Sequence, residues 1–165
     1  MIPRFEELID RHHDEIFAYL WRLLGKSRRS DGSLEVEDLV QEVFLRAFKR
    51  FSSLRPDSND RAWLYRIATN CVFSKLRHAK VRRDKMALLS NSTAGAHEAA
   101  AHAIANGDLH AAVQQLSPKQ KACITLRYFN DLDYAEIATI VGCSSVSARA
   151  NVSQGIRRLR RALEE

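Results

Sequence analysis

One stretch, DYAEIATIVGCSSVSARANVSQGIRRLRRAL at residues 133–163, limits the fold of this chain more than any other. Asp133 and Glu136 stand in a D-x-x-E relation, a variant of the capping box that opens a helix. Ile137, Ala138 and Val141 recur at helical spacing on its inner side, and Gly142 is placed to end it in a left-handed conformation. Ser144 or Ser145 then caps a second helix, whose inner face is Ala148, Val152, Gly155 and Leu159. A short helix, a glycine turn and a longer helix with a polar, cationic outer face describe a helix-turn-helix.

A second helix that is narrow and polar can lie in the major groove of a duplex. Arg149, Asn151, Ser153 and Gln154 can donate to base edges or phosphates, while Arg157, Arg158, Arg160 and Arg161 suit phosphate contact. A helical hairpin with a solvated basic face is the alternative reading of the same residues. Net charge favours a polyanionic partner. Of the +6 on 165 residues, residues 1–84 carry 17 Lys+Arg against 13 Asp+Glu, residues 85–108 carry 1 against 2, and residues 109–165 carry 8 against 5.

Helical punctuation governs the rest of the chain. Phe5, Leu8, Ile9, His12, Ile16, Leu20, Leu23 and Leu24 form one apolar stripe that ends near Gly25. Ser33 is placed to cap the next helix, which buries Val40, Val43, Phe44, Ala47, Phe48 and Phe51. Its outward face offers Asp38, Gln41, Glu42, Leu45 and Arg46, either a solvated face or a protein-docking patch. RPDSND breaks the chain, with Ser58 or Asn59 capping a third helix. Residues 86–108 are rich in Ala, Ser and Asn and read as a linker, part-helical through its alanines. LSPKQ opens a further helix, with Ser117 as cap, Pro118 at its first position and Gln120 completing a capping box.

The third helix, AWLYRIATNCVFSKLR at residues 62–77, has two faces. Leu64, Ile67, Ala68, Cys71, Val72 and Lys75 mark the buried one; Trp63, Arg66, Asn70, Phe73 and Arg77 lie on nearly the opposite side. Aromatics interleaved with cations can stack on unpaired bases, each for about 1–3 kcal/mol. Asn70 could read a base edge, and the KVRR beyond, with Arg82 and Arg83, would hold the backbone. A second packing surface is the other reading.

EDLVQEVFLRAFKRF, AWLYRIATNCVFSKLRHAKVRR and the segment from LSPKQ to LRRAL resemble, in order and spacing, a bacterial extracytoplasmic-function (ECF) sigma factor of the sigma-70 family. The resemblance implies an all-α fold of two small helical domains. A sigma-2-like bundle would occupy residues 1–84, a linker 85–108, and a sigma-4-like helix-turn-helix domain 109–165. It implies binding to core RNA polymerase, through its clamp coiled coil and flap, and promoter-specific initiation. Asp38, Gln41, Glu42, Phe44 and Arg46 occupy positions of the family's polymerase-docking helix. Trp63, Arg66, Asn70, Phe73, Arg77, Arg82 and Arg83 fall where the family opens and reads the −10 element, Asn70 beside the pocket for a flipped base. Ser145, Ser147, Arg149, Asn151, Ser153, Gln154, Arg157 and Arg158 fall on its −35 reader. Many relatives carry Arg where this chain has Asn151, Gln154 and Ile156, and some carry an aromatic at Leu54, so no promoter sequence is transferred.

Other classes lack support in the residues. Cys71, Cys123 and Cys143 are widely spaced, no metal-ligand spacing or nucleophile signature occurs, and the Walker, Rossmann and HExxH patterns are absent. The expectation is a non-enzymatic protein with no cofactor, no metal and no small-molecule substrate. The charged N-terminus is no signal peptide and no apolar run could insert in a membrane, which places the protein in the cytoplasm. An anti-sigma factor, usual for the family, is a further expected partner. A stand-alone helix-turn-helix regulator and a helical protein-interaction module are the alternatives.

Overall fold

The computed structural model describes residues 4–25, 32–90 and 109–164, with side chains of the second stretch from residue 35. Every regular element among them is helical: α1 (Phe5–Leu24), α2 (Gly32–Arg50) with a 3-10 turn at Phe51–Ser53, α3 (Asp60–Ser90), α4 (Leu109–Gln114), α5 (Pro118–Tyr128), α6 (Tyr134–Val141) and α7 (Ser145–Glu164). An all-α fold is therefore what the chain adopts. Helix α3 runs on through Lys85–Ser90, the first part of the segment read as a linker; residues 91–108 lie outside the described residues.

The expected caps hold these helices. Asn59, rather than Ser58, caps α3, its Oδ1 accepting from the Ala62 amide at 3.0 Å. Ser117 with Gln120, and Asp133 with Glu136, form full capping boxes at α5 and α6, so the orphan amides of both first turns find acceptors. Gly142 ends α6 at φ 78°, ψ 48°, a left-handed position that costs glycine nothing. Ser33 lies among the residues whose side chains are not described.

Helices α1, α2 and α3 pack on one another, and so do α4, α5, α6 and α7. The two groups also meet: α3 lies along α6, and α1 along α5. One apolar cluster runs through both, from Leu8, Ile16 and Leu64 to Ile137, Ala148 and Val152. Two expectations about the core need correction. Phe48 is 62% exposed, its ring meeting Phe5 edge-on 5.2 Å away at the rim. Lys75 is only half-buried, consistent with an aliphatic stem on the core and an ammonium in water.

Candidate nucleic-acid interface

Helix α3 is fixed at its start by a polar network reaching across from α1. Arg61 Nε donates to Glu15 Oε2 at 3.0 Å and the Tyr65 hydroxyl donates to the same oxygen at 3.2 Å. His12, buried, places Nδ1 2.5 Å from Glu15 Oε1 and Nε2 3.6 Å from Asp60 Oδ1. Burial, and then the Glu15 charge, push the Tyr65 phenol well above its usual range, so it stays a neutral donor.

With α3 held in this way, Arg66, Asn70 and Arg77 point to solvent, and Arg82 and Arg83 continue the cationic run. Trp63 and Phe73 are half-buried and pack against the core cluster. The stripe thus has two exposed polar side chains, Arg66 and Asn70, between two aromatics that each keep one part exposed, with Arg77 one turn beyond Phe73.

Asp38, Gln41, Glu42, Leu45 and Arg46 are all exposed on α2, where Arg46 pairs with Glu42 one turn earlier. Leu45 is 61% exposed and sits near Phe48, so this face carries apolar as well as charged area. Phe44, read as part of the buried stripe of α2 as well as a position of the docking helix, is buried and stacks on His13 with ring centroids 6.0 Å apart. A cleft of about 390 Å³ between α2 and α3 joins Asp38, Glu42 and Arg46 to Lys75, His78 and Arg82.

Helix α7 is the second of the helix-turn-helix pair. Ser144, rather than Ser145, caps it, Oγ accepting from the Ser147 amide at 3.1 Å. Ala148, Val152, Gly155 and Leu159 are buried, as their spacing predicts. Ser145, Arg149, Ser153, Gln154, Arg157 and Arg158 are exposed, whereas Ser147 and Asn151 are half-buried. Asn151 Nδ2 donates to the Ser147 carbonyl at 2.9 Å, so this side chain lies along its own helix. Arg149 stacks over the Tyr134 ring at 5.0 Å, and Arg158 Nη1 donates to Gln120 Oε1 at 3.1 Å. No carboxylate pairs with the α7 arginines among the described residues, leaving their field directed at solvent.

Helix α3 also has a second buried side that the single-stripe reading missed. Tyr65 and Thr69 are fully buried, beneath α1 and towards α6. Tyr65, Thr69, Val72 and Leu76 recur at i, i+4, i+7 and i+11, a signal that was present in the sequence but overlaps the first stripe at Val72. Among the described residues no group of His, Cys, Asp or Glu could hold a metal, and no helix is long and apolar enough to cross a membrane.

A family model for sigma-70 region 2 matches residues 8–82, and one for sigma-70 region 4 matches residues 106–159. The chain is 28% identical over 166 residues to the ECF RNA polymerase sigma factor BldN of Streptomyces coelicolor, covering 98% of this chain and 61% of that relative's length. It is 30% identical over 159 residues to the ECF RNA polymerase sigma factor SigL of Mycobacterium tuberculosis, covering 93% of this chain and 87% of the relative. Among solved structures, the sigma factor RpoE of Bartonella quintana, crystallised with the anti-sigma factor NepR, superposes with a TM-score of 0.71 at 24% identity, covering 97% of this chain and 96% of that one, a likeness of fold.

Proposed function

The chain belongs to the ECF sigma factors of the sigma-70 family, and on that premise we propose that it binds core RNA polymerase and directs it to particular promoters. The observation that carries this reading is the presence of two exposed helix faces of different chemistry in one chain. Helix α7 offers exposed arginines and a polar face that suit the major groove and phosphates of a duplex −35 element. Helix α3 offers Asn70 and Arg66 between half-exposed Trp63 and Phe73, which suits unpaired bases of a −10 element. A stand-alone regulator has use for the first and none for the second.

The first surface would position the complex on duplex DNA. The second would then bind separated −10 bases better than paired ones and shift the population toward the open form, by no more than that difference in affinity. Helix α2 would dock on the clamp coiled coil through Asp38, Gln41, Glu42 and Arg46, with Leu45 adding apolar contact, and the flap would take the 109–165 unit. Residues 1–84 would act as the sigma-2-like domain and 85–108 as the connection between the two. One relative of the same fold is seen with an anti-sigma factor, which supports a partner of that class here. Work at promoter DNA places the protein in the cytoplasm.

In vitro transcription with core polymerase tests the proposal directly. Promoter-dependent transcripts should require this chain, and a gel shift without polymerase should show little specific binding. Tight, specific DNA binding by the chain alone, with no effect on polymerase, would falsify the assignment.

A further inference from the structure

Helix α7 carries a side chain that neither the core nor the arginine field accounts for. Val146, in its first turn, is 80% exposed. At about 100° per residue, Val146 and Ala150 lie within roughly 30° of the line opposite the buried stripe of Ala148, Val152, Gly155 and Leu159. Both are exposed, and Arg157 continues the same line two turns further on. The outward pole of α7 is therefore apolar in its first two turns and cationic beyond them.

Helix formation gives no reason for a valine here. A β-branched side chain loses rotamer freedom in a helix, and one this exposed recovers little of it through burial. Its polar neighbours do not cover it either. Arg149 is turned onto the Tyr134 ring, which the Arg127 guanidinium also meets, 4.8 Å from the centroid, while donating to the Leu132 carbonyl at 3.0 Å. Asn151 is bonded along its own helix to the Ser147 carbonyl, and Arg158 is held by Gln120. These side chains are drawn to the flanks of α7, and the pole between them presents methyl groups.

Methyl groups set among cations select a partner by two criteria at once. The α7 arginines, without carboxylate partners among the described residues, favour a polyanion. The methyls favour an apolar group on that polyanion, and the major groove of a duplex offers one, the 5-methyl of thymine. The first turns of a recognition helix are also those that reach base edges. We propose that Val146, with Ala150 beside it, reads a thymine 5-methyl group, which makes it a specificity-determining residue of this chain. Placing that thymine in the −35 element rests on the sigma-factor reading above.

The test removes the methyl from the DNA as well as from the protein. Duplexes with a randomised −35 region are selected by the full chain, with and without core polymerase. Each thymine of the selected element, on either strand, is then replaced singly by deoxyuridine, which lacks the 5-methyl and keeps every hydrogen-bonding group. At one or two positions the replacement should weaken binding about three- to fivefold. Val146→Ser should bind the thymine and deoxyuridine forms of that position alike. Its thermal unfolding and its affinity for core polymerase should match those of the unsubstituted chain.

A selected element without thymine overturns the proposal, as does equal binding of thymine and deoxyuridine by the unsubstituted chain. So does a thymine preference that survives in Val146→Ser. Loss of polymerase affinity in that variant, with the preference intact, would make Val146 a protein contact instead. If the chain selects a duplex equally well without polymerase and shows the Val146-dependent methyl effect there, the contact stands and the sigma-factor reading fails. Selection of no sequence in either arm defeats both.

Discussion

The hydroxyl of Tyr19 lies 2.7 Å from that of Thr69, inside a core where neither side chain has any exposure. Thr69 donates to the Tyr65 carbonyl one turn back at 2.7 Å, which leaves its oxygen to accept from Tyr19. The Tyr19 ring meets the Tyr65 ring edge-on at 4.9 Å, so α1 and α3 are joined by a shared polar and aromatic pair. Tyr19→Phe should cost about 1–2 kcal/mol in urea denaturation, and Thr69→Val more, because it strands the phenol without an acceptor. A double-mutant cycle should return a coupling of about 0.5–3 kcal/mol. Additive losses would show the two groups to be independent.

Asn70 is exposed and needed by no part of the core, so Asn70→Ala should leave thermal stability unchanged. It should slow open-complex formation about tenfold, read by permanganate reactivity of the −10 region, while core polymerase affinity stays constant. Equal losses in both assays would remove Asn70 from base recognition.

Arg157 is exposed on α7 and lines a surface hollow with Gln154, Arg158 and Arg161. Arg157→Ala should weaken binding of the polymerase-bound chain to all promoter sequences alike and reduce the slope of log affinity against log salt by about 1. Gln154→Ala should instead relax preference at one −35 position by about 1–3 kcal/mol with the salt slope unchanged. Anisotropy titrations at several salt concentrations on two promoters distinguish these effects.

Two glycines should fail for different reasons. Gly142→Ala meets no neighbouring atom but is forced to φ 78°, and should cost about 1–2 kcal/mol, with Gly142→Asn costing less. At Gly155 a Cβ would overlap Ile124 Cδ1, where α7 crosses α5. Gly155→Ala should cost about 1–3 kcal/mol, and adding Ile124→Val, which removes the conflicting methyl, should recover most of it. No recovery in the double variant would place the strain elsewhere.

Burial moves two groups of α5 in directions that leave opposite marks on stability. Lys121 falls from 10.5 to about 8, so between those values the unfolded chain binds more protons and stability rises with pH. Cys123 is pushed from 9.0 up to about 12, so above pH 9 the folded chain holds the extra proton and stability falls; the raised phenols of Tyr19 and Tyr65 add to this above their ordinary 10.0. The urea midpoint should therefore climb from pH 8 to about 9 and then decline. Lys121→Met should flatten the climb, and Cys123→Ala should soften the decline.

The sequence by itself determined what depends on neighbours within a turn or two. The capping boxes at Ser117 and Asp133, the left-handed Gly142 and the inner face of α7 are set by bonds and spacings of three or four residues, and all stand as read. Tertiary structure decided the rest. Phe48 and Phe44 share the α2 stripe, yet one is exposed and the other is covered by His13 from α1. Tyr65 and Thr69 are buried because α3 packs on two sides, and Lys121 looks like an ordinary surface lysine until α1 ends against it. Local spacing encodes neither the difference between the two phenylalanines nor the burial of Lys121, and it marks Tyr65 and Thr69 only through a second stripe that overlaps the first at Val72. Each depends on which distant helix arrives, and burial then fixes the protonation state and pairing of whatever side chain lies beneath.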